Sequence, residues 1–189
     1  MELENIEDEV YEEFLDSANS FYSGDLEYHN FGHVLDTFEA ADELIGRCEV
    51  EGKDVDKEVV AASLAYHDAY YHKNAERFGF DSKEDLSKEV ARKELRELGY
   101  EEEFIQNVED CIEATKHHVS PDEDEYEEIV VRAADLSGLK ADYDELIENT
   151  YALREEYETL NGEKPEFEEW FEGVINVLDH YGSEMLKVT

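Results

Sequence analysis

The sequence predicts an all-α fold, a single helical bundle over residues 1–189 with no second domain. Three observations carry that expectation. Only two prolines occur, Pro121 and Pro165, and proline is the residue that helix interiors exclude. The alternation of β-branched and polar residues that marks half-buried strands is nearly absent. In its place, apolar residues recur three and four apart along most of the chain, the spacing of one helical face. At 189 residues and 41% apolar content, there is enough chain to bury one sizeable core. That content also separates it from disordered sequences of comparable charge.

The elements follow in order. Residues 3–18 read as an amphipathic helix with Leu3, Ile6, Val10, Phe14 and Leu15 on one face. Ser20 to Glu27, containing Gly24, is a loop. A second helix from Tyr28 to about Arg47 turns Phe31, Val34, Leu35, Phe38, Ala41, Leu44 and Ile45 inward. Gly52 and Asp54 lead to a third, over the apolar stretch Val60 to Tyr71. Tyr71 to Ser82 is polar, aromatic and glycine-bearing, and reads as a long loop. Ser82 then caps a helix to Leu98 that Gly99 stops. Residues 101–118 follow, with Phe104, Ile105, Val108, Ile112 and Thr115 facing inward. Tyr126 to about Lys140 comes next, its Ile129, Val130, Val131, Ala133 and Ala134 expected in the core. Two last helices cover 142–160 and 166–181, parted by Asn161-Gly162 and Pro165. No repeat or linker interrupts the series. It comprises a motif-bearing core of about 27–140 and the C-terminal helices 142–181.

Charge narrows the partners. Lys and Arg number 16 against 54 Asp plus Glu, a formal net charge of −38. Phosphate neutralisation drives nucleic-acid binding, so a nucleic-acid polymer is excluded as a partner. The same field repels anionic substrates unless a metal or a local basic group reverses it. The acid is dispersed rather than gathered in a tail. With so few lysines, this is the composition of a protein adapted to high intracellular salt; an acidic nucleic-acid mimic is the competing account. Cys48 and Cys111 are too few and too isolated for a disulfide framework or a thiolate metal site, and read as buried small residues in a reducing compartment. The acidic N-terminus lacks an apolar signal region and no run reaches membrane-span length, so the expectation is a cytoplasmic protein without a membrane partner.

Within the third helix, His67 and Asp68 stand side by side among residues that should be buried. A buried charge is costly unless it is paired or coordinates a metal. Successive helical residues point about 100° apart, so the pair can grip one ion near the cis angle of an octahedral site, with other segments supplying the rest. His29 and His33 are four apart and share a face if their helix begins by Tyr28. His33, preceding Val34 and Leu35, faces inward and reads as a ligand; His29 reads equally as a ligand or a polar cap. Asp135 lies in Ala133-Ala134-Asp135-Leu136, the least polar helix of the chain. Asp is rarely buried without a partner, so it too reads as a ligand. Ala114-Thr115-Lys116-His117-His118 closes the fifth helix, where one histidine of the pair can simply answer the helix dipole. His72 and His180 read as structural.

The order His33, His67-Asp68, Asp135 resembles the HD superfamily of metal-dependent phosphohydrolases, whose defining pattern is H…HD…D on a bundle of helices. Tyr28-His29-Asn30-x-x-His33, Tyr66-His67-Asp68-Ala69-Tyr70-Tyr71, Ala114-Thr115-Lys116-His117-His118 and Ala134-Asp135-Leu136-Ser137-x-Leu139 look like one subgroup of it. The likeness covers residues 27–140. It implies His33, His67, Asp68 and Asp135 as the metal ligands, in agreement with the reading from burial. It carries Glu84 and Ser87 over weakly, from a motif of which Lys83-Glu84-Asp85-Leu86-Ser87 keeps two positions. Some relatives place a glutamate three residues after the HD aspartate to handle the catalytic proton; Tyr71 stands there in this chain. Dinuclear relatives use extra histidines before the last aspartate, a part His117 and His118 could play for a second metal.

Two imidazoles with two carboxylates suit one divalent ion, Mn²⁺, Fe²⁺, Co²⁺, Ni²⁺, Mg²⁺ or Zn²⁺. The expected activity is hydrolysis of a small phosphorylated molecule, a nucleotide phosphomonoester among the substrates that fit, by attack of a water that the ion acidifies. Asp68 and Asp135 would orient that water as catalytic groups. His29, Lys116, His117, His118, Arg132 and Glu84 are the candidates for contacting substrate, Lys116 and Arg132 standing out because basic residues are scarce here. Two rival readings are an Fe(II) oxygenase on the same scaffold and a non-catalytic, metal-stabilised regulatory or binding protein. Oligomeric state is not read from the sequence.

Overall fold

Side-chain caps at Asn30, Asp56, Ser82 and Asp142 open four of the helices. The structure, a computed structural model, describes the backbone of residues 6–117, 119–121 and 124–185 and the side chains of 11–117, 119–121 and 124–181. Eight α-helices and three short 3-10 turns lie among the described residues, with no strand. They are α1 (Ile6–Ala18), α2 (Phe31–Val50), α3 (Lys57–Tyr66), α4 (Lys83–Leu98), α5 (Glu102–Ala114), α6 (Tyr126–Asp135), α7 (Tyr143–Asn161) and α8 (Phe167–Met185). Asp56 opens α3 by accepting the Glu58 and Val59 amides. Ser82 opens α4 by accepting the Asp85 amide at 3.1 Å. At the other end of α4, Gly99 takes φ 94°, a left-handed conformation that favours glycine.

The described residues fall into two compact units: residues up to Asp25 with His29–Ser137, and Leu26–Tyr28 with Gly138 onward. In the first unit α3 packs against α1, α2, α4, α5 and α6. Every residue from Val59 to Tyr66 is buried, which a helix reaches only when it is enclosed by others. Leu64, Val59, Val60, Ile105, Ile112 and Phe14 are among the fully buried side chains, each stabilising the fold by roughly 1.5–3 kcal/mol on full burial. In the second unit, α7 and α8 are joined by the Trp170 indole, which donates to the Thr150 carbonyl at 3.1 Å. Phe167 and Phe171 pack at 4.4 Å there, and buried Glu156 accepts the Tyr28 amide at 3.1 Å.

The expected inward faces hold, with local corrections. Leu35 is 49% exposed rather than inward, while Val34, Ala41 and Ile45 of the same helix are buried as expected. Ile129 and Ala133 are half-buried while Val130, Val131 and Ala134 are buried. Cys111 is buried and Cys48 half-buried. Leu3 and the side chains of Ile6 and Val10 lie outside the described residues. No described helix is long and apolar enough to cross a membrane.

Candidate metal centre

Three separate segments converge on one point. His33 sits in the first turn of α2, which begins at Phe31 rather than at Tyr28. Asn30 enforces that start, its side chain accepting the Gly32 amide at 2.7 Å, so His29 lies before the helix and does not share its face. The third helix likewise ends earlier than its apolar run implies. α3 stops at Tyr66, His67 is its C-cap, and Asp68 lies on the turn beyond. In a continuing helix the Ala69 amide would bond the Ala65 carbonyl; it bonds Tyr66 instead, at 3.0 Å, while the Tyr22 hydroxyl donates to Ala65 at 3.0 Å. Asp135 is the last residue of α6, ahead of the 3-10 turn Leu136–Lys140.

The ligand atoms of His33, His67, Asp68 and Asp135 all lie within 4.8 Å of one another. His67 Nε2 stands 3.1 Å from Asp68 Oδ2 and 3.4 Å from Asp135 Oδ1. His33 Nε2 is 3.2 Å from Asp135 Oδ1 and 3.8 Å from Asp68 Oδ2. The opposite nitrogen of His67, Nδ1, lies 2.8 Å from the Leu64 carbonyl. A carbonyl only accepts, so Nδ1 carries a proton, and whenever the ring is neutral it is the Nε2 lone pair that faces the carboxylates. This is the outer hydrogen bond that orients metal-bound imidazoles. His67 Nε2 and Asp68 Oδ2 are buried and, despite their proximity, not aligned for a hydrogen bond with any group. Lone pairs converging from four side chains are stabilised by a cation between them.

The electrostatics agree. Burial disfavours the charged form of His67, yet Asp68 and Asp135 outweigh it and hold the imidazole well above its ordinary value. Burial likewise works against ionised Asp135, but the hydrogen bond with His33 and the nearby His67 ring depress its carboxyl. Asp68 is lowered against its burial by His67 and then His29. The imidazoles are nearly sealed, whereas Asp68 and Asp135 keep 13% and 19% of their side chains accessible, an opening through which water or a ligand group can enter. The donor set fits a divalent ion.

Around this cluster the sequence candidates scatter. The His29 ring stacks on Tyr71 at 3.8 Å with 14° between planes and stands 5.7 Å from the His33 ring. Lys83 Nζ lies 3.2 Å from the Tyr71 centroid; with one face covered by His29, it occupies the other. Lys116 pairs with Asp85 at 2.9 Å and Glu113 at 2.8 Å. Arg132 is buried, its guanidinium donating to the Ala114 carbonyl and, at 2.9 Å, to that of Lys116. It ties down the end of α5. His117 is exposed in the turn after α5, and His118 lies outside the described residues. Glu84 is half-buried in the first turn of α4. Ser87 touches the ligand turn, donating to the Ala69 carbonyl at 3.1 Å.

Two neighbours escaped the sequence reading. Lys83 could have been found by the scarcity of basic residues in the chain. Tyr22 left no signal, because it lies in a stretch read as loop and its partner is 43 residues away. Its phenol is pushed well above its ordinary value by burial and then by Asp68 and Asp135. No protein-family model matches the chain, and no curated protein or solved structure does.

Proposed function

We propose that this protein is a metal-dependent phosphohydrolase of the HD type, acting on a small phosphorylated molecule. The observation that carries this is the convergence of His33, His67, Asp68 and Asp135, from the start of α2 and the ends of α3 and α6, with buried His67 Nε2 and Asp68 Oδ2 lacking any hydrogen-bond partner. A divalent cation held by these side chains would supply Lewis acidity to a phosphoryl oxygen and acidify water toward neutrality. The partly open carboxylates of Asp68 and Asp135 would take the proton of the attacking water. The new bond would form from that oxygen to phosphorus, the ester P–O bond would break, and the proton that the carboxylate took from the water would pass to the leaving oxygen. His29 and Lys83, on the two faces of Tyr71, bring cation-capable groups to the neighbourhood of the cluster, where the net charge of −38 would otherwise repel an anion.

The test is hydrolysis of a panel of phosphomonoesters, nucleotides included, by metal-stripped protein and by the same protein reloaded with Mn²⁺ or Co²⁺. Phosphate release that requires the metal supports the reading. Metal binding without turnover points to the regulatory or binding protein, and oxygen uptake with Fe²⁺ to the oxygenase.

A further inference from the structure

The turn carrying His67 and Asp68 is held from outside at three points. The Tyr22 hydroxyl donates to the Ala65 carbonyl at 3.0 Å. The Tyr70 amide donates to the Phe21 carbonyl at 3.0 Å, and the Phe21 and Tyr70 rings meet edge-on at 5.1 Å. Ser87 Oγ donates to the Ala69 carbonyl at 3.1 Å. Within this clasp Tyr70 adopts φ 61°, the one non-glycine residue with positive φ among those described. That conformation costs on the order of 1 kcal/mol or more and persists only where its surroundings over-determine it. The Tyr22 contact stands apart from the other two. It engages the Ala65 carbonyl, the acceptor that the Ala69 amide would use in a continuing helix, where the Ala69 amide instead bonds Tyr66 and α3 ends one residue before His67.

We propose that Tyr22 is a positioning residue of the metal centre: by capturing the Ala65 carbonyl, it breaks the helix so that the Asp68 carboxylate turns toward His33 and Asp135. The proposal rests on the metal-binding reading above. Tyr22 itself coordinates nothing. Its hydroxyl spends its proton on Ala65.

Tyr66 supplies the control. It is a second phenol tied to α3, and its hydroxyl donates to Ser17 Oγ at 2.9 Å rather than to the ligand turn. Tyr22→Phe and Tyr66→Phe would be compared with the wild type by Co²⁺ titration, following the visible ligand-field bands, and by thermal unfolding without metal. Loss of an outer-shell partner typically weakens metal affinity about 10–100-fold. Tyr22→Phe should fall in that range with altered band intensities, and Tyr66→Phe should keep wild-type affinity and spectrum whatever its melting temperature. Wild-type Co²⁺ affinity and spectrum in Tyr22→Phe, or equal weakening in both variants, would overturn the proposal and leave the metal site standing. A wild-type protein that binds no Co²⁺ would overturn the metal reading and this proposal together. If Tyr22→Phe does not fold, hydrogen exchange on the wild type decides. Added Co²⁺ should protect residues 19–22 together with 65–70, and protection confined to 65–70 would count against the proposal.

Discussion

Two four-residue clusters of charge lie in the same unit of this protein, and they are built on opposite principles. Asp85, Lys88, Glu113 and Lys116 form a closed square in which each ammonium touches both carboxylates. Lys88 contacts Asp85 at 2.8 Å and also Glu113; Lys116 contacts Asp85 at 2.9 Å and Glu113 at 2.8 Å. Its formal charge is zero. The second cluster, His33, His67, Asp68 and Asp135, sets two carboxylates against imidazoles that are neutral unless protonated. It is more deeply buried, and two of its atoms have no hydrogen-bond partner. Burial makes an uncompensated pair of negative charges expensive. The square is complete as it stands, while the metal cluster is completed by a cation or by protons. The sequence singled out Lys116 as a substrate contact because basic residues are rare; its place in the square shows what that lysine balances.

The sharpest way to break this comparison is to delete the charge at the centre of the metal cluster. Asp68→Ala should abolish metal binding and hydrolysis while leaving helix content nearly intact, because α3 is held along Val59–Tyr66 by contacts on all sides. Stoichiometric metal in the purified variant, measured by elemental analysis, would refute the assignment. Next in size, His33→Ala should weaken metal affinity at least tenfold more than His29→Ala in parallel titrations, since His33 sets a nitrogen 3.2 Å from Asp135 Oδ1 while the His29 ring stacks on Tyr71. Equal losses would place His29 in the coordination shell.

Protons and metal compete for the same atoms, which gives a pH signature. The His67 pKa is raised in the folded chain, so in metal-free protein its contribution is fully present below the unfolded value of about 6.5. That contribution fades as pH rises toward the folded value. The depressed carboxyls of Asp68 and Asp135 act in the opposite sense, contributing above about pH 4 and losing that contribution on acidification. The melting-temperature gain from added Co²⁺ should therefore grow as the pH is raised from about 6.5 upward, where the His67 proton leaves its ligand atom. A gain that shrinks over that window would mean the imidazoles are not ligands.

Salt separates the clusters by exposure. With a net charge of −38, surface repulsion should make melting temperature rise from dilute buffer to about 1 M KCl, where the screening length falls to roughly 3 Å. Metal affinity at the shielded cluster should change much less. A flat or falling melting temperature would remove the salt-adapted reading of the composition. The smallest expected effect is in the square itself. Lys116→Met should cost about 1 kcal/mol in denaturant unfolding, the scale of a partly exposed ion pair, and should leave Co²⁺ affinity unchanged. A loss of affinity would show that the two clusters are coupled.

What the sequence by itself determined is the helical class, most helix starts and the four converging side chains. Those depend on local chemistry: capping by Asp56 and Ser82, a left-handed stop at Gly99, and polar residues stranded in apolar runs, as at His67 and Asp135. Local chemistry also explains why His29 lies ahead of α2, where the cap at Asn30 moves the helix start past Tyr28. Only the tertiary structure decided the course of the chain after Tyr66. The run Val60 to Tyr71 is helix-forming throughout, and nothing within it calls for a break. The break is associated with a hydroxyl that arrives from 43 residues earlier. Arg132 shows the same limit: its guanidinium is engaged by carbonyls near the end of another helix. Hydrogen bonds between distant segments have no periodicity along the chain, so they leave no trace in spacing or composition.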